Sequence, residues 1–354
     1  MKQSKIPRLG LVMGGAQHVK NAAGERCYHL CVLDLDDPEF ALVGIPTAFF
    51  GHGIVPHPTR PHLLSVFEKR GPGACEVDLR QGCVTRAIST APDRQFYGHG
   101  AYSADGSLLY CTETEMSRER PGLIAVRDAS THELLGDFPS YGASPHDCRL
   151  IDGGRTMVIT NGGGQRGDVT PSVTFVDVQS QQLLEQLRFS RADINAGHLD
   201  ITTGGALAVV SAQREGLPDK HPGGVTLKLS SGEFRTLSRP KAVVDRLLGE
   251  TLSVCIHEPT RTVAATTPAG NLLSFWDLDS GTLLRYYELP NPRGVSLGVD
   301  GEHFVVSFGL GDPPEALCLI SAASLDKVDG FDLSPTGITG SHLTLHVLPE
   351  SMRG

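Results

Sequence analysis

Gly98-His99-Gly100-Ala101-Tyr102-Ser103-Ala104-Asp105-Gly106 is the stretch that decides the fold. It reads as a short strand ending in an Asp-Gly turn, the dipeptide that suits a tight reversal between antiparallel strands. A second strand follows at 108–113, a third at 123–128 after a polar loop, and a fourth at 133–138. Four short antiparallel strands in about forty residues is the pattern of one β-propeller blade.

Moving outward, the same pattern recurs. One copy opens at Gly51-His52-Gly53 and continues at 62–67, 74–79 and 84–88. Another opens at Pro145-His146-Asp147, with strands at 156–161, 172–178 and 183–189. A fourth opens at Gly197-His198-Leu199-Asp200, with strands at 206–212, 224–229 and 234–237. Two more open near Leu252 and Gly294. At the chain ends, 340–345 reads as an opening strand with nothing after it. Segments 9–13, 28–34 and 40–45 read as three closing strands with no opener. Joining them completes a ring and hides the exposed edges. The expectation is therefore an all-β, seven-bladed β-propeller of the WD40/YVTN kind, with N- and C-terminal strands sharing the closing blade. No linker or charge run divides the chain, so residues 1–354 read as a single domain. Only 239–248 carries helical periodicity.

Composition agrees with many tight turns: 41 glycines and 23 prolines in 354 residues. The formal net charge of −9 disfavours a nucleic-acid partner, because phosphate binding needs a positive field. No apolar run is long enough for a membrane-spanning helix, so no membrane insertion is expected. The first residues lack a signal-peptide apolar region, which reads as a cytoplasmic location. The eight cysteines are scattered and several fall in apolar strand patterns, as buried free thiols would.

Five histidines, His52, His99, His146, His198 and His342, fall on one repeated position, the start of the innermost strand. The first four are spaced 47, 47 and 52 residues apart. In a propeller that position lies at the mouth of the central channel. Imidazole suits iron, copper, zinc and nickel, so one ligand from each of several blades would build a metal site. Iron or copper is the expected metal, and no nucleotide cofactor is expected. The position also admits another reading, in which each imidazole hydrogen-bonds inside its own blade. The remaining two blades place Thr251 or Leu252, and Arg293, at the equivalent point. Polar residues on the neighbouring loops are candidates for binding a ligand: Glu115, Arg118, Asn161, Gln213, Arg214 and Arg293.

Other signals are weaker. Cys27-Tyr28-His29-Leu30-Cys31 has the spacing of half a dinuclear-copper motif, but Leu35 stands where its histidine would be. The Gly162-Gly163-Gly164 run lacks the Lys-Ser/Thr of a phosphate-binding loop and reads as a hairpin. Trp276-Asp277 matches a repeat dipeptide once. No Ser-His-Asp arrangement or nucleophile elbow is legible, so an enzyme ranks last.

Five segments together resemble a bacterial family of unknown function: Phe96-Tyr97-Gly98-His99-Gly100, Ser103–Tyr110, Ser144-Pro145-His146-Asp147, Thr160-Asn161-Gly162-Gly163 and Ala264-Ala265-Thr266-Thr267-Pro268. The likeness runs from about Arg8 to Leu348. Members of that family are typically exported by the twin-arginine pathway and encoded beside imelysin-type, iron-regulated proteins. The resemblance implies a propeller linked to iron acquisition, and a periplasmic location if a signal precedes this start. Three functions follow as expectations: a metal-handling propeller, a scaffold that docks a protein partner on its loop face, and a metal-dependent enzyme.

Overall fold

Strand propensity and alternation dominate the chain, and about half of its residues lie in strands. A computed structural model describes residues 8–19, 24–37, 39, 42–117, 121–164 and 169–348. One short helix, α1 (Lys241–Val244), falls in the segment with helical periodicity.

Strands β1 (Leu11–Val19), β2 (Arg26–Asp34) and β3 (Leu42–Thr47) form a four-stranded sheet with the last strand, β28 (Thr344–His346), in the order β28-β1-β2-β3. Next along the chain come β4 (Gly51–Pro56), β5 (Leu63–Gly71), β6 (Gly73–Asp78) and β7 (Cys83–Ser89), then β8 (Arg94–Tyr102), β9 (Leu108–Glu115), β10 (Pro121–Asp128) and β11 (Leu134–Ala143). Four further four-stranded meanders follow. They are β12 (Pro145–Ile151), β13 (Thr156–Asn161), β14 (Ser172–Asp177) and β15 (Gln182–Arg188), then β16 (Leu199–Ile201), β17 (Leu207–Ser211), β18 (Gly224–Lys228) and β19 (Phe234–Thr236). The last two are β20 (Ser253–His257), β21 (Thr262–Thr267), β22 (Leu272–Asp277) and β23 (Leu283–Glu288), then β24 (Val295–Leu297), β25 (His303–Phe308), β26 (Ala316–Ser321) and β27 (Lys327–Leu333).

The count of seven separate blades is corrected by this topology. Five four-stranded sheets stand as discrete blades, whereas β4 to β11 form one continuous eight-stranded sheet. The cause lies in β5. It runs past the end of β4 and pairs with β8, Lys69 opposite Tyr97 and Gly71 opposite Phe96, across a bulge at Arg70. Arg70 adopts a φ of 62°, which turns the strand end toward its new partner.

Burial follows strand position. The middle strands β13, β14 and β21 are buried along their whole length, whereas β23 alternates and β15 is mostly exposed. Apolar clusters fill each junction between consecutive sheets. Val210, Val225 and Leu227 meet Val263, Leu272 and Trp276, for example, and Val12, Cys31 and Leu33 meet Val305, Leu317 and Leu319. Each fully buried large side chain contributes about 1.5–3 kcal/mol of transfer free energy, so stability is spread around the ring. Trp276, read above as a repeat residue, is fully buried and donates its indole N–H to Ser274 Oγ at 2.9 Å. All eight cysteines are free thiols. No helix among the described residues is long and apolar enough to cross a membrane.

Hydroxyl side chains on the second strands stitch the inner strands together. Thr160 Oγ1 accepts the Asp147 N–H at 2.9 Å and donates to the Gly197 carbonyl of the next sheet at 2.6 Å. Thr266 makes the same pair of bonds, from the Ser253 N–H and to the Arg293 carbonyl. Glycine recurs beside the histidines because the backbones nearly touch at the axis. A Cβ at Gly53 would fall onto the Gly98 carbonyl oxygen, and one at Gly15 onto that of Gly51.

Candidate metal centre

Three of the five histidines stand at register breaks. The pairing of β4 with β5 shifts between Gly51 and Gly53, that of β8 with β9 between Phe96 and Gly100, and that of β12 with β13 between Pro145 and Cys148. A bulge leaves a residue outside the ladder and re-aims its side chain. His52, His99 and His146 occupy these bulges and turn toward the axis. His198 immediately precedes the short inner strand β16, and His342 lies two residues before the start of β28.

The five imidazoles converge. The His52 ring centroid lies 4.9 Å from that of His99, 5.3 Å from His146, 5.4 Å from His198 and 4.5 Å from His342. His198 and His342 are closer still, at 3.9 Å. One ring nitrogen from each of His52, His99, His198 and His342 falls within 4.8 Å of all the others. Burial holds every one of the five well below the usual histidine pKa, with mutual repulsion and the nearby Lys69 ammonium adding to it for most of them. At neutral pH all five rings are uncharged.

Neutral imidazole carries one N–H and one lone pair, and here the hydrogen bonds fix which nitrogen is which. His146 Nδ1 lies 2.8 Å from the Tyr97 carbonyl, and His198 Nδ1 lies 2.7 Å from the Leu252 carbonyl. Carbonyls only accept, so both rings donate from Nδ1. Their Nε2 lone pairs then face each other at 2.7 Å. Three short contacts run from Tyr97 to Leu252, and two neutral rings supply only two protons. One contact is therefore repulsive unless a cation lies between the rings. His198 Nε2 also lies 3.3 Å from His52 Nε2. Two nitrogens bound to one tetrahedral ion at 2.0–2.1 Å are about 3.3 Å apart.

Carboxylates flank the cluster. Asp147 Oδ1 lies 3.5 Å from His99 Nδ1 and 3.0 Å from an Arg149 nitrogen. This leaves His99 Nε2 facing the cluster, buried and without a hydrogen-bond partner, as is His342 Nε2. A carboxylate or carbonyl behind each imidazole is the usual support for a metal ligand, since it fixes the tautomer. Asp200 accepts backbone N–H groups from Ile201 and Ile256, and burial pushes its carboxyl pKa up.

Cavities lie on both sides of the imidazoles. The outer one, about 520 Å³, is lined by His146, Lys69, Arg70, Gln213, Glu250 and Arg293 among others. The inner one, about 170 Å³, is lined by His99, His198, His342, Asp147, Arg149 and Asp200 among others.

The model of a family described as "Protein of unknown function (DUF1513)" matches residues 45–329. The chain belongs to this family. No curated protein matches it. Among solved structures it is similar to Kuenenia stuttgartiensis hydrazine synthase, at 14% identity and a TM-score of 0.66, over 85% of this chain and 93% of that one. At that identity the likeness concerns the fold alone.

In this DUF1513 member the loop candidates separate. Gln213 and Arg293 line the outer cavity beside His146. Asn161 is fully buried, takes a hydrogen bond from Ser140 Oγ and donates to Thr174 Oγ1, which ties it to the sheet. Arg214 is also buried and donates to the Gly163 and Gly164 carbonyls, so it clamps the glycine run. Glu115 sits at the end of β9 opposite Arg94, away from the cavity lining. Arg118 lies outside the described residues. The repeat pattern did not bring out Lys69, Arg70 and Glu250, because Lys69 and Arg70 lie on the extension of β5 that pairs with β8, which the other sheets lack, and Glu250 lies in the loop before β20. Asp147 and Asp200 were legible as neighbours of His146 and His198, but not as supports for the rings.

Proposed function

We propose that this propeller binds one transition-metal ion on the imidazole cluster at its axis, with iron or copper as its metal. One observation carries the reading: His146 and His198 point lone pairs at each other across 2.7 Å while both Nδ1 atoms are committed to carbonyls. A cation on the cluster relieves that repulsion once the two nitrogens open from 2.7 Å toward the 3.3 Å spacing of one tetrahedral ion, which His198 Nε2 and His52 Nε2 already have. An all-imidazole donor set suits iron, copper, zinc or nickel, and not calcium, which takes oxygen ligands. Iron handling is what the resemblance to exported, iron-associated family members adds. His52, His99, His198 and His342 supply the converging nitrogens, with His146 closing the outer side.

In the alternative reading, each histidine hydrogen-bonds inside its own blade. His146 instead bonds to a carbonyl on β8, and His198 to the carbonyl just before β20. The test is metal quantification by mass spectrometry on protein purified without a metal-affinity tag, beside a His99→Ala/His146→Ala variant. Stoichiometric metal in the parent and its loss from the folded variant is the expected result. A parent that stays metal-free after anaerobic reconstitution refutes the proposal and leaves a docking scaffold as the better reading.

A further inference from the structure

The two cavities meet the imidazole cluster differently. None of the four converging histidines lines the outer one. Of the five rings only His146 reaches it, with its Nδ1 against the Tyr97 carbonyl and its Nε2 against His198. Packing behind His146 is closed: a Cβ at Gly98 would lie 2.7 Å from His52 Cδ2 and 3.4 Å from His146 Cε1. Farther out, two ion pairs join the end of β5 to the loops after β17 and before β20. Arg70 meets Glu215 at 3.1 Å, and Lys69 meets Glu250 at 3.5 Å. Charge on that side is matched within the protein.

Three of the four, His99, His198 and His342, line the inner cavity instead. His99 and His342 carry buried Nε2 atoms with no hydrogen-bond partner. The remaining wall offers no further imidazole, and its one thiol, Cys255, lies outside the converging set. An ion on the cluster therefore has packed protein on its outer side and about 170 Å³ of free space on the other. Metal centres that take an outside ligand keep a position open in this way, whereas structural ones are closed by protein. The wall also restricts what can enter. At about 30 Å³ for each water-sized occupant, only small molecules fit. Two carboxylates, Asp147 and Asp200, stand against the single guanidinium of Arg149, which disfavours an anion.

We infer that the bound ion keeps one coordination position open to the inner cavity, and that this position takes a small uncharged molecule of the size of a diatomic gas. This rests on the metal reading above, and it makes the centre a ligand-binding one.

The experiment loads the full chain anaerobically with copper(I) and adds carbon monoxide, read by the infrared C–O stretch of a copper carbonyl. A carbonyl on each bound copper is the expected result. Ser296→Leu puts a larger side chain at a half-buried point of the inner wall. It should keep its copper and weaken carbon monoxide binding by at least about tenfold. Thr344→Leu, on the same wall but from a different sheet, gives the same reading should the first variant fold poorly. Ala269→Leu, exposed at the outer cavity, should leave the affinity within about twofold. Copper bound without a carbonyl, or a carbonyl affinity unmoved by both inner variants, overturns the open position and leaves the metal site standing. Failure to retain copper(I) is failure of the metal reading as applied to copper, and this inference falls with it.

Discussion

Metal binding to the axial cluster should raise the thermal stability of the protein by an amount that can be worked out in advance. A ligand that binds only the native state stabilises it by about 2.7 kcal/mol at a hundred times its Kd. Unfolding entropy near 60 °C is about 2.1 cal/mol/K per residue, which for 354 residues is about 0.74 kcal/mol/K. The expected rise in Tm is therefore about 4 °C. His198→Gln should abolish it, because His198 supplies the nitrogen shared with both His146 and His52. The same substitution has a second consequence in metal-free protein. A glutamine amide can donate toward His146 Nε2, which removes the facing lone pairs. Metal-free His198→Gln should then stay within about 1 kcal/mol of the parent, although large polar substitutions in a core normally cost more. Differential scanning fluorimetry with and without each metal, on both proteins, reads all four values. An equal metal shift in parent and variant refutes the ligand assignment. A metal-free variant that loses several degrees refutes the proton-counting argument.

Two further outcomes test the energetics. The five axial histidines are held below their unfolded-state pKa of about 6.5, so the native chain binds fewer protons than the unfolded one. Stability of the metal-free protein is thus complete above about pH 6.5 and is lost as pH falls. The slope is about 1.4 kcal/mol per pH unit for each proton that only the unfolded chain takes up. Urea unfolding at several pH values between 5 and 8 should show this slope, and a flat profile contradicts it. Away from the axis, Arg127 donates to Glu113 Oε1 at 2.8 Å, with both side chains buried. Arg127→Met should cost about 3–5 kcal/mol by stranding the carboxylate, and a Glu113→Gln/Arg127→Met double variant should recover most of it. Denaturant midpoints decide this, and equal losses in single and double variants would contradict the account.

The sequence by itself determined the blade grammar, since strand alternation and Asp-Gly turns are local properties. It also determined that five histidines share one place in the repeat, because position in a repeat maps onto position around an axis. It could not set how the sheets divide. Whether β4 to β11 make two sheets or one depends on Lys69 and Gly71 meeting β8, a contact between segments whose pairing no local pattern states. Nor could it tell an imidazole that bonds within its blade from one that faces the axis. That depends on bulges at His52, His99 and His146 and on which carbonyl each Nδ1 meets. For the same reason Asn161 and Arg214, polar in sequence and placed near the mouth, turned out to be internal ties, while Lys69 and Arg70 proved to line the cavity. Periodicity fixes which residues recur together, because it arises within each strand. Only closure of the ring brings five separate openings within bonding distance, and there proton count and charge, not pattern, decide what the site can hold.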